Sequence, residues 1–426
     1  MKLIRYLHVI VLLLFAPSCF AIQIQSPNFE SAEHSAVGDQ VRLAYAKNES
    51  SKENAMLSLE NGFSLSYGNI LTLADFYGDS SAPISKGADL KERMKRFSST
   101  FATINSKEAN LGELKKIFAV LAREQALIAD GILHGETAEA VYRRINSDLD
   151  REYNCAMGGN CSLMWFLFPS KYLTLKSDDR DHFGTDAWLS YEAGHKVALQ
   201  EAIAAHSTQD KARLMKAYAM NAFASHYLTD YFAAGHIRTP RVALPEQVTP
   251  SIIGALLSKY MHDEENAYGL SVHNQRGNTW NAYGDGYLHA KQHQAAVRII
   301  VDALQASVDE IFNAYLTGQL PARTIVEDYL PIANEDNGYS QHDITPLFYW
   351  DKQSKVLYRR TDVSNPYDKR MTADWWGWTT AIMLVQQRGL SVAWQANIAV
   401  SGYGKLGIQY GLITDKNVIK YVNERG

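Results

Sequence analysis

The run Ser225-His226-Tyr227-Leu228-Thr229-Asp230-Tyr231-Phe232-Ala233-Ala234-Gly235-His236 concentrates side chains that bind metal ions. His226 and Asp230 are four residues apart, which on a helix places both side chains on one face. Gly235 then ends the helix and lets His236 turn back toward the same point. Imidazole nitrogens and carboxylate oxygens are good zinc donors, and a tight site needs them to converge from several directions. Further donors recur along the chain. His182 stands in Asp181-His182-Phe183-Gly184, just ahead of a helix. His262 and Glu265, three apart, share one face of a later helix. Near the start, Phe29-Glu30-Ser31-Ala32-Glu33-His34 sets another histidine beside acids. The competing reading puts these side chains at ordinary core and surface positions, since 13 histidines produce some groupings by chance. Their recurrence around helices that should pack together favours metal. His134, His195, His206, His273, His289, His293 and His342 read as structural or surface residues. His289 and His293 are four apart, but no carboxylate or third histidine accompanies them at similar spacing.

The elements that must position these donors are mostly helices. Leu114, Ile117, Phe118, Leu121 and Ala122 recur at three and four within 111–130, and 137–146 continues in helical character. Residues 188–206 are rich in Ala and Leu, and 210–234 form a long helix stopping at Gly235. Pro250 opens a helix over 250–266, and 286–320 is the longest helical run, closed by Pro321. From about residue 325 the pattern changes. Phe348-Tyr349-Trp350 and Val356-Leu357-Tyr358 flank a turn and predict a hairpin. Residues 392–413 are rich in Gly, Val, Ile and Tyr and partly alternate, which reads as strand. The expected fold is mainly α, with a helical body over 22–324 and a smaller mixed or β-containing C-terminal region over 325–426. In that region Trp375-Trp376-Gly377-Trp378 fits either a core or a lipid interface.

Residues 1–21 read as a secretory signal peptide. Lys2 and Arg5 precede a short apolar run, and Ala21 is a small residue at the expected cut. The predicted destination is the periplasm or the extracellular medium. Cys155 and Cys161 are then the two cysteines of the mature chain, and an exported protein with one close pair predicts a disulfide. The 426 residues carry a net charge of -4, with 46% hydrophobic and 21% charged residues. That composition excludes disordered and collagen-like classes, and a mildly acidic chain has no global attraction for nucleic acid. No later segment has 18 uncharged apolar residues, and there is no Gly-x-Ser-x-Gly to support a serine hydrolase.

His226-x3-Asp230-x5-His236, with His182 before it and His262 after it, resembles the zinc-dependent phospholipase C family. Single-strand-specific zinc nucleases share that family's helical fold and tri-zinc site. The run Gly235-His236-Ile237-Arg238-Thr239-Pro240-Arg241 resembles the secreted Gram-negative branch of these phospholipases. The resemblance spans about Phe29 to Leu320. It implies that His226, Asp230 and His182 hold one zinc ion, that Asp230 bridges to a second ion bound by His34, and that His236 and His262 hold another with a carboxylate. It also implies that Asp75, in Leu73-Ala74-Asp75-Phe76-Tyr77-Gly78, is the catalytic aspartate that orients or deprotonates the attacking water. The sequence departs from the family in two places. Phe29 stands where the family has an N-terminal Trp ligand, leaving Glu30 or Glu33 as substitutes. Asn266 stands where the family has a carboxylate, so Glu265 is the expected replacement, with Glu264 pointing away.

The function expected from these residues is an exported zinc metallophospholipase C. It would use two or three zinc ions to cleave the glycerol-side phosphodiester of glycerophospholipids, phosphatidylcholine foremost. It would touch the membrane surface transiently, with no nucleic acid and no obligate protein partner. The rivals are a zinc nuclease with the same metal core and a non-catalytic envelope binding protein. Arg238 and Arg241 stand either as substrate-phosphate contacts or as a basic surface near a helix end.

Overall fold

The computed structural model describes residues 31–47, 52–53, 55–104, 107–162, 165, 170–178, 180–284, 286, 293–333 and 343–425. The signal segment 1–21, Phe29, Glu30, His289 and His342 lie outside the described residues. The chain is mainly helical with a few small sheets. Its helices are α1 (Ser31–Gly38), α2 (Tyr67–Leu71), α3 (Leu90–Ile104), α4 (Lys107–Leu133), α5 (Ala138–Ala156), α6 (Lys171–Asp178), α7 (Gly184–Thr208), α8 (Lys211–Asp230), α9 (Ala234–Ile237), α10 (Ala243–Gln247), α11 (Ser251–Tyr268), α12 (Gln294–Thr317) and α13 (Gly377–Arg388), followed by three shorter ones. No helix among the described residues is long and apolar enough to cross a membrane.

Helix α8 is the centre of the first core. Asp210 caps its start by accepting from the backbone N–H of Ala212 and Arg213. Residues 217–230 are all buried, and Ala217, Ala219, Ala222, Ala224 and Ser225 let neighbours approach closely. Gln209, in the left-handed conformation, turns the chain so that α7 returns along α8. Their approach is close enough that a Cβ on Gly194 of α7 would meet Ala224 of α8 and Phe97 of α3. Phe97 and Phe101 stack on each other and both meet Phe223 edge-on at the α3–α8 contact. Helix α12 closes another side, where Tyr191 donates to Ser307 and His195 is held between Asn221 and Glu310.

A second core joins the C-terminal region to part of the helical body. Leu256, Leu257 and Met261 of α11 pack with Phe348, Leu357, Trp378, Leu384 and Ile398. The C-terminal region is therefore not confined to residues after 325, because its core includes α10 and α11. Between them lies a buried ion triad. Both carboxylate oxygens of Glu264 take the Arg360 guanidinium, at 2.6 and 3.0 Å, and Arg388 joins on the same carboxylate. Arg360 is fully buried and also donates to the carbonyls of Thr345 and Val363. Good geometry with every remaining donor occupied is what lets such a charge stay inside.

The predicted hairpin is present as β1 (Phe348–Asp351) and β2 (Val356–Arg360), with Tyr349 opposite Tyr358 and Trp350 opposite Leu357. Three expectations are corrected. Residues 392–413 are not strands but short helices over Val392–Ile398 and Gly404–Gln409, the first capped by Ser391. Their branched apolar residues, Ile398 and Ile413, fill the second core, and tertiary burial overrides their strand preference. Helix α8 ends at Asp230 rather than at Gly235, which sits in α9 where a Cβ would strike the His262 carbonyl. Helix α12 ends at Gly318 in the left-handed conformation, ahead of Pro321. The disulfide Cys155–Cys161 forms as expected.

Replacing Glu264 by Gln leaves two buried guanidinium groups short of a counter-charge. Urea unfolding should show a loss of about 3–5 kcal/mol. A change under about 1 kcal/mol would mean that the triad does not hold the two cores together.

Candidate metal centre

Four separate segments deliver side chains to the end of α8. His226 and Asp230 come from its last turn, one helical turn apart. His182 ends the short 3-10 turn Arg180–His182 that leads into α7, and Asp181 anchors that turn by accepting the backbone N–H of Ile84 and Ser85. Asp75 ends the 3-10 turn Thr72–Asp75. His34 comes from α1, buried against α8.

His182 Nδ1 lies 2.7 Å from Asp230 Oδ2. His226 Nε2 lies 3.0 Å from His182 Nδ1 and 3.2 Å from Asp230 Oδ2. In tetrahedral zinc sites with bonds of about 2.0–2.1 Å, neighbouring donor atoms sit about 3.3–3.4 Å apart. The three atoms thus form one face of such a site, slightly contracted. A second group of three possible donors is His34, Asp75 and His226, and it shares His226 with the first. Asp230 also reaches toward His34, with Oδ1 3.4 Å from Nε2.

The hydrogen bonds around His34 decide which of its nitrogens carries a proton. Thr229 Oγ1 is 2.7 Å from the His226 carbonyl, which can only accept, so the hydroxyl proton goes there. His34 Nδ1, 2.9 Å from that oxygen, must then donate to it. Nε2 then faces a carboxylate oxygen 3.4 Å away. A nitrogen and a carboxylate oxygen facing each other in a buried space can share a proton or a metal ion, so the residues present fit a metal ion. Burial by itself would raise the Asp230 carboxyl, but the His226 and His182 rings outweigh it and hold it well below the usual carboxylate range. Burial, and then the adjacent His226 ring, lowers His34. Ser31 donates to Asp75 Oδ2 at 3.0 Å, which leaves Oδ1 directed at His226 Nε2, 3.5 Å away.

His236 and His262 lie side by side, with ring centroids 4.9 Å apart. His236 Nδ1 donates to the His182 carbonyl at 2.7 Å, so its orientation is tied to the first group. Glu265 is on the same helix as His262, and its buried Oε2 makes no hydrogen bond. Its Oε1 takes Arg238 Nε at 2.7 Å, and burial, opposed by Arg238, pushes it up to about 7. His262 Nδ1 donates to Asp263, and its Nε2 faces the Asn266 amide at 3.1 Å. Asn266 Oδ1 in turn accepts from the Gly235 N–H, so the Asn that stands in place of a carboxylate bridges α9 and α11. Glu264 does point away, into the triad with Arg360 and Arg388.

Several contributors have no signal in sequence. Thr229 fixes the His34 ring, and Ser31 fixes Asp75. Glu124 of α4, fully buried, accepts from the Ala32 N–H and from Tyr153 and Tyr142, which docks the start of α1. Burial pushes Glu124 up to about 7 against those hydrogen bonds. No family model, no curated protein and no solved structure matches this chain.

Two outcomes follow from the donor geometry. Asp230→Asn should remove bound metal, read by elemental analysis after dialysis, while far-ultraviolet circular dichroism stays unchanged; full retention of metal would exclude Asp230 as a donor. The second concerns His34. Its folded-state value is lowered, so below about pH 6.5 the unfolded chain takes up a proton that the folded chain refuses. Acidification therefore costs the wild type stability through this residue. In metal-free protein the stability advantage of wild type over His34→Gln should shrink between pH 7.5 and 5.5. A difference independent of pH would show that His34 is not held neutral.

Proposed function

We propose that this chain is an exported zinc-dependent phosphodiesterase that acts as a phospholipase C. It would hydrolyse the glycerol-side phosphodiester of glycerophospholipids, with phosphatidylcholine as substrate and diacylglycerol and phosphocholine as products. The observation that carries this reading is the convergence of His182, His226 and Asp230 with Asp75 and His34 at the end of one buried helix. Such a donor set suits reactions at an already negative phosphorus, where an incoming oxygen is repelled unless positive charge is concentrated nearby.

His182, His226 and Asp230 would hold one ion, and His34 with the other oxygen of Asp230 would support a second. Zinc, when bound, would offset the charge on the phosphoryl oxygens and raise the acidity of water. The protein's own part is orientation and proton transfer. Asp75 is the proton acceptor: Ser31 pins one carboxylate oxygen and leaves the other facing the donor group. Thr229 holds the His34 ring so that its Nε2 stays on the donor side. Access to lipid requires only transient contact with a membrane surface, and the exposed Trp376 and Tyr349 of the C-terminal region are aromatic side chains of the kind favoured there.

The test is product analysis on phosphatidylcholine vesicles with purified mature protein. Phosphocholine and diacylglycerol should appear, vanish with a chelator and return with zinc. Asp75→Asn should lower kcat by about 10²–10⁴-fold while the ion held by His182, His226 and Asp230 is retained. Cleavage of a single-stranded oligonucleotide with no release from phosphatidylcholine would overturn the lipid substrate in favour of nucleic acid.

A further inference from the structure

The proposed reaction needs a group that grips the substrate's phosphate. The two arginines that follow His236 in sequence are occupied elsewhere. Arg238 is paired with Glu265 and donates to the Ile344 carbonyl, and Arg241 is buried over the Phe183 ring. A different arginine stands at the metal-donor group. Arg180 begins the same 3-10 turn that ends in His182. Arg180, Asp181, His182 and Tyr227 line a small open pocket of about 30 Å³, with Ala74, the neighbour of Asp75, at its wall. A water-sized group needs about 10–15 Å³ on this measure, so the pocket takes about two such groups, as two oxygens of a phosphate would require.

The guanidinium of Arg180 is only loosely committed. Its buried Nε makes no hydrogen bond, and the Asp186 carboxylate is 3.8 Å from it. The other acids of the pocket are engaged by N–H and O–H donors. Asp181 accepts from Ile84 and Ser85 through separate oxygens, and Asp79 accepts from the backbone and hydroxyl of Ser81. A planar guanidinium with free N–H groups is the side chain best matched to a phosphate oxygen pair.

We infer that Arg180 is the oxyanion anchor of this site, holding the phosphoryl oxygens of a phosphate ester beside His182, His226 and Asp230. The inference deepens the phosphodiesterase reading and rests on it for the identity of the substrate, but its ligand chemistry can be tested separately. The probe is inorganic phosphate, titrated calorimetrically into zinc-loaded full-length mature protein. Arg180→Gln should weaken phosphate binding by about tenfold or more. Arg180→Lys, which keeps the charge but loses the fork, should fall between the two. Zinc content and thermal midpoint should be unchanged in both variants. On phosphatidylcholine, Arg180→Gln should raise KM by a similar factor. Equal phosphate affinity in wild type and Arg180→Gln, or no phosphate binding by wild type, overturns the anchor. Phosphate binding that depends on Arg180 in a protein that cleaves no phosphodiester would keep the anchor and refute the function proposed above.

Discussion

His182 Nδ1, His226 Nε2 and Asp230 Oδ2 are pressed within 2.7–3.2 Å of one another in a place where the carboxylate is almost wholly buried. A buried carboxylate without a partner costs several kcal/mol, and an N–H of either ring, a shared proton or a metal ion among the three atoms meets that demand. The surrounding hydrogen bonds serve that demand. Thr229 turns His34 Nε2 inward, Ser31 holds one Asp75 oxygen, and the His182 carbonyl takes the His236 proton. Each removes a proton from the side of the ring or carboxylate that would otherwise face the donor group's neighbours, or fixes the ring against rotation.

Packing and chemistry meet in α8. Its small buried residues allow α7 and α3 to lie almost against its backbone, and a single Cβ at Gly194 would force them apart. That closeness brings the turn before α7, and with it His182, to the last turn of α8. Gly235 plays the same part on the other side, where the His262 carbonyl lies in the space a side chain would take. The donors of this site come from packed helices and short 3-10 turns rather than from long loops.

Helix α11 links this site to the C-terminal region through adjacent residues with opposite roles. Glu264 faces the second core and ties Arg360 and Arg388, whereas Glu265 faces the first and ties Arg238. The hairpin carrying Lys352 lies close enough to contribute positive charge at Asp186, beside Arg180. The C-terminal region thus shares a helix with the metal-donor side and comes near Asp186, rather than being a separate appendage.

The sequence by itself determined the helices and the local pairs. The three–four patterns located α4, α5, α7, α8 and α11, and the four-residue spacing put His226 and Asp230 on one face, because helical geometry is a local property. The close cysteine spacing predicted the disulfide, and the aromatic pairs around a polar turn predicted the hairpin. Only the tertiary structure decided which distant residues meet. Nothing between positions 34, 75, 182 and 226 in the chain encodes their distance in space, and nothing near Thr229 announces that it sets a proton on His34. The same holds for Glu264 and Glu265, identical side chains one residue apart that a 100° turn of the helix sends to different cores. Arginine roles were misleading in sequence for that reason. Arg238 and Arg241 stand beside His236 in the chain, but their partners come from elsewhere, and the loosely held guanidinium beside the donors belongs to Arg180. Spacing along a helix fixes direction over one or two turns, and beyond that range direction is set by which surfaces the core can bury together.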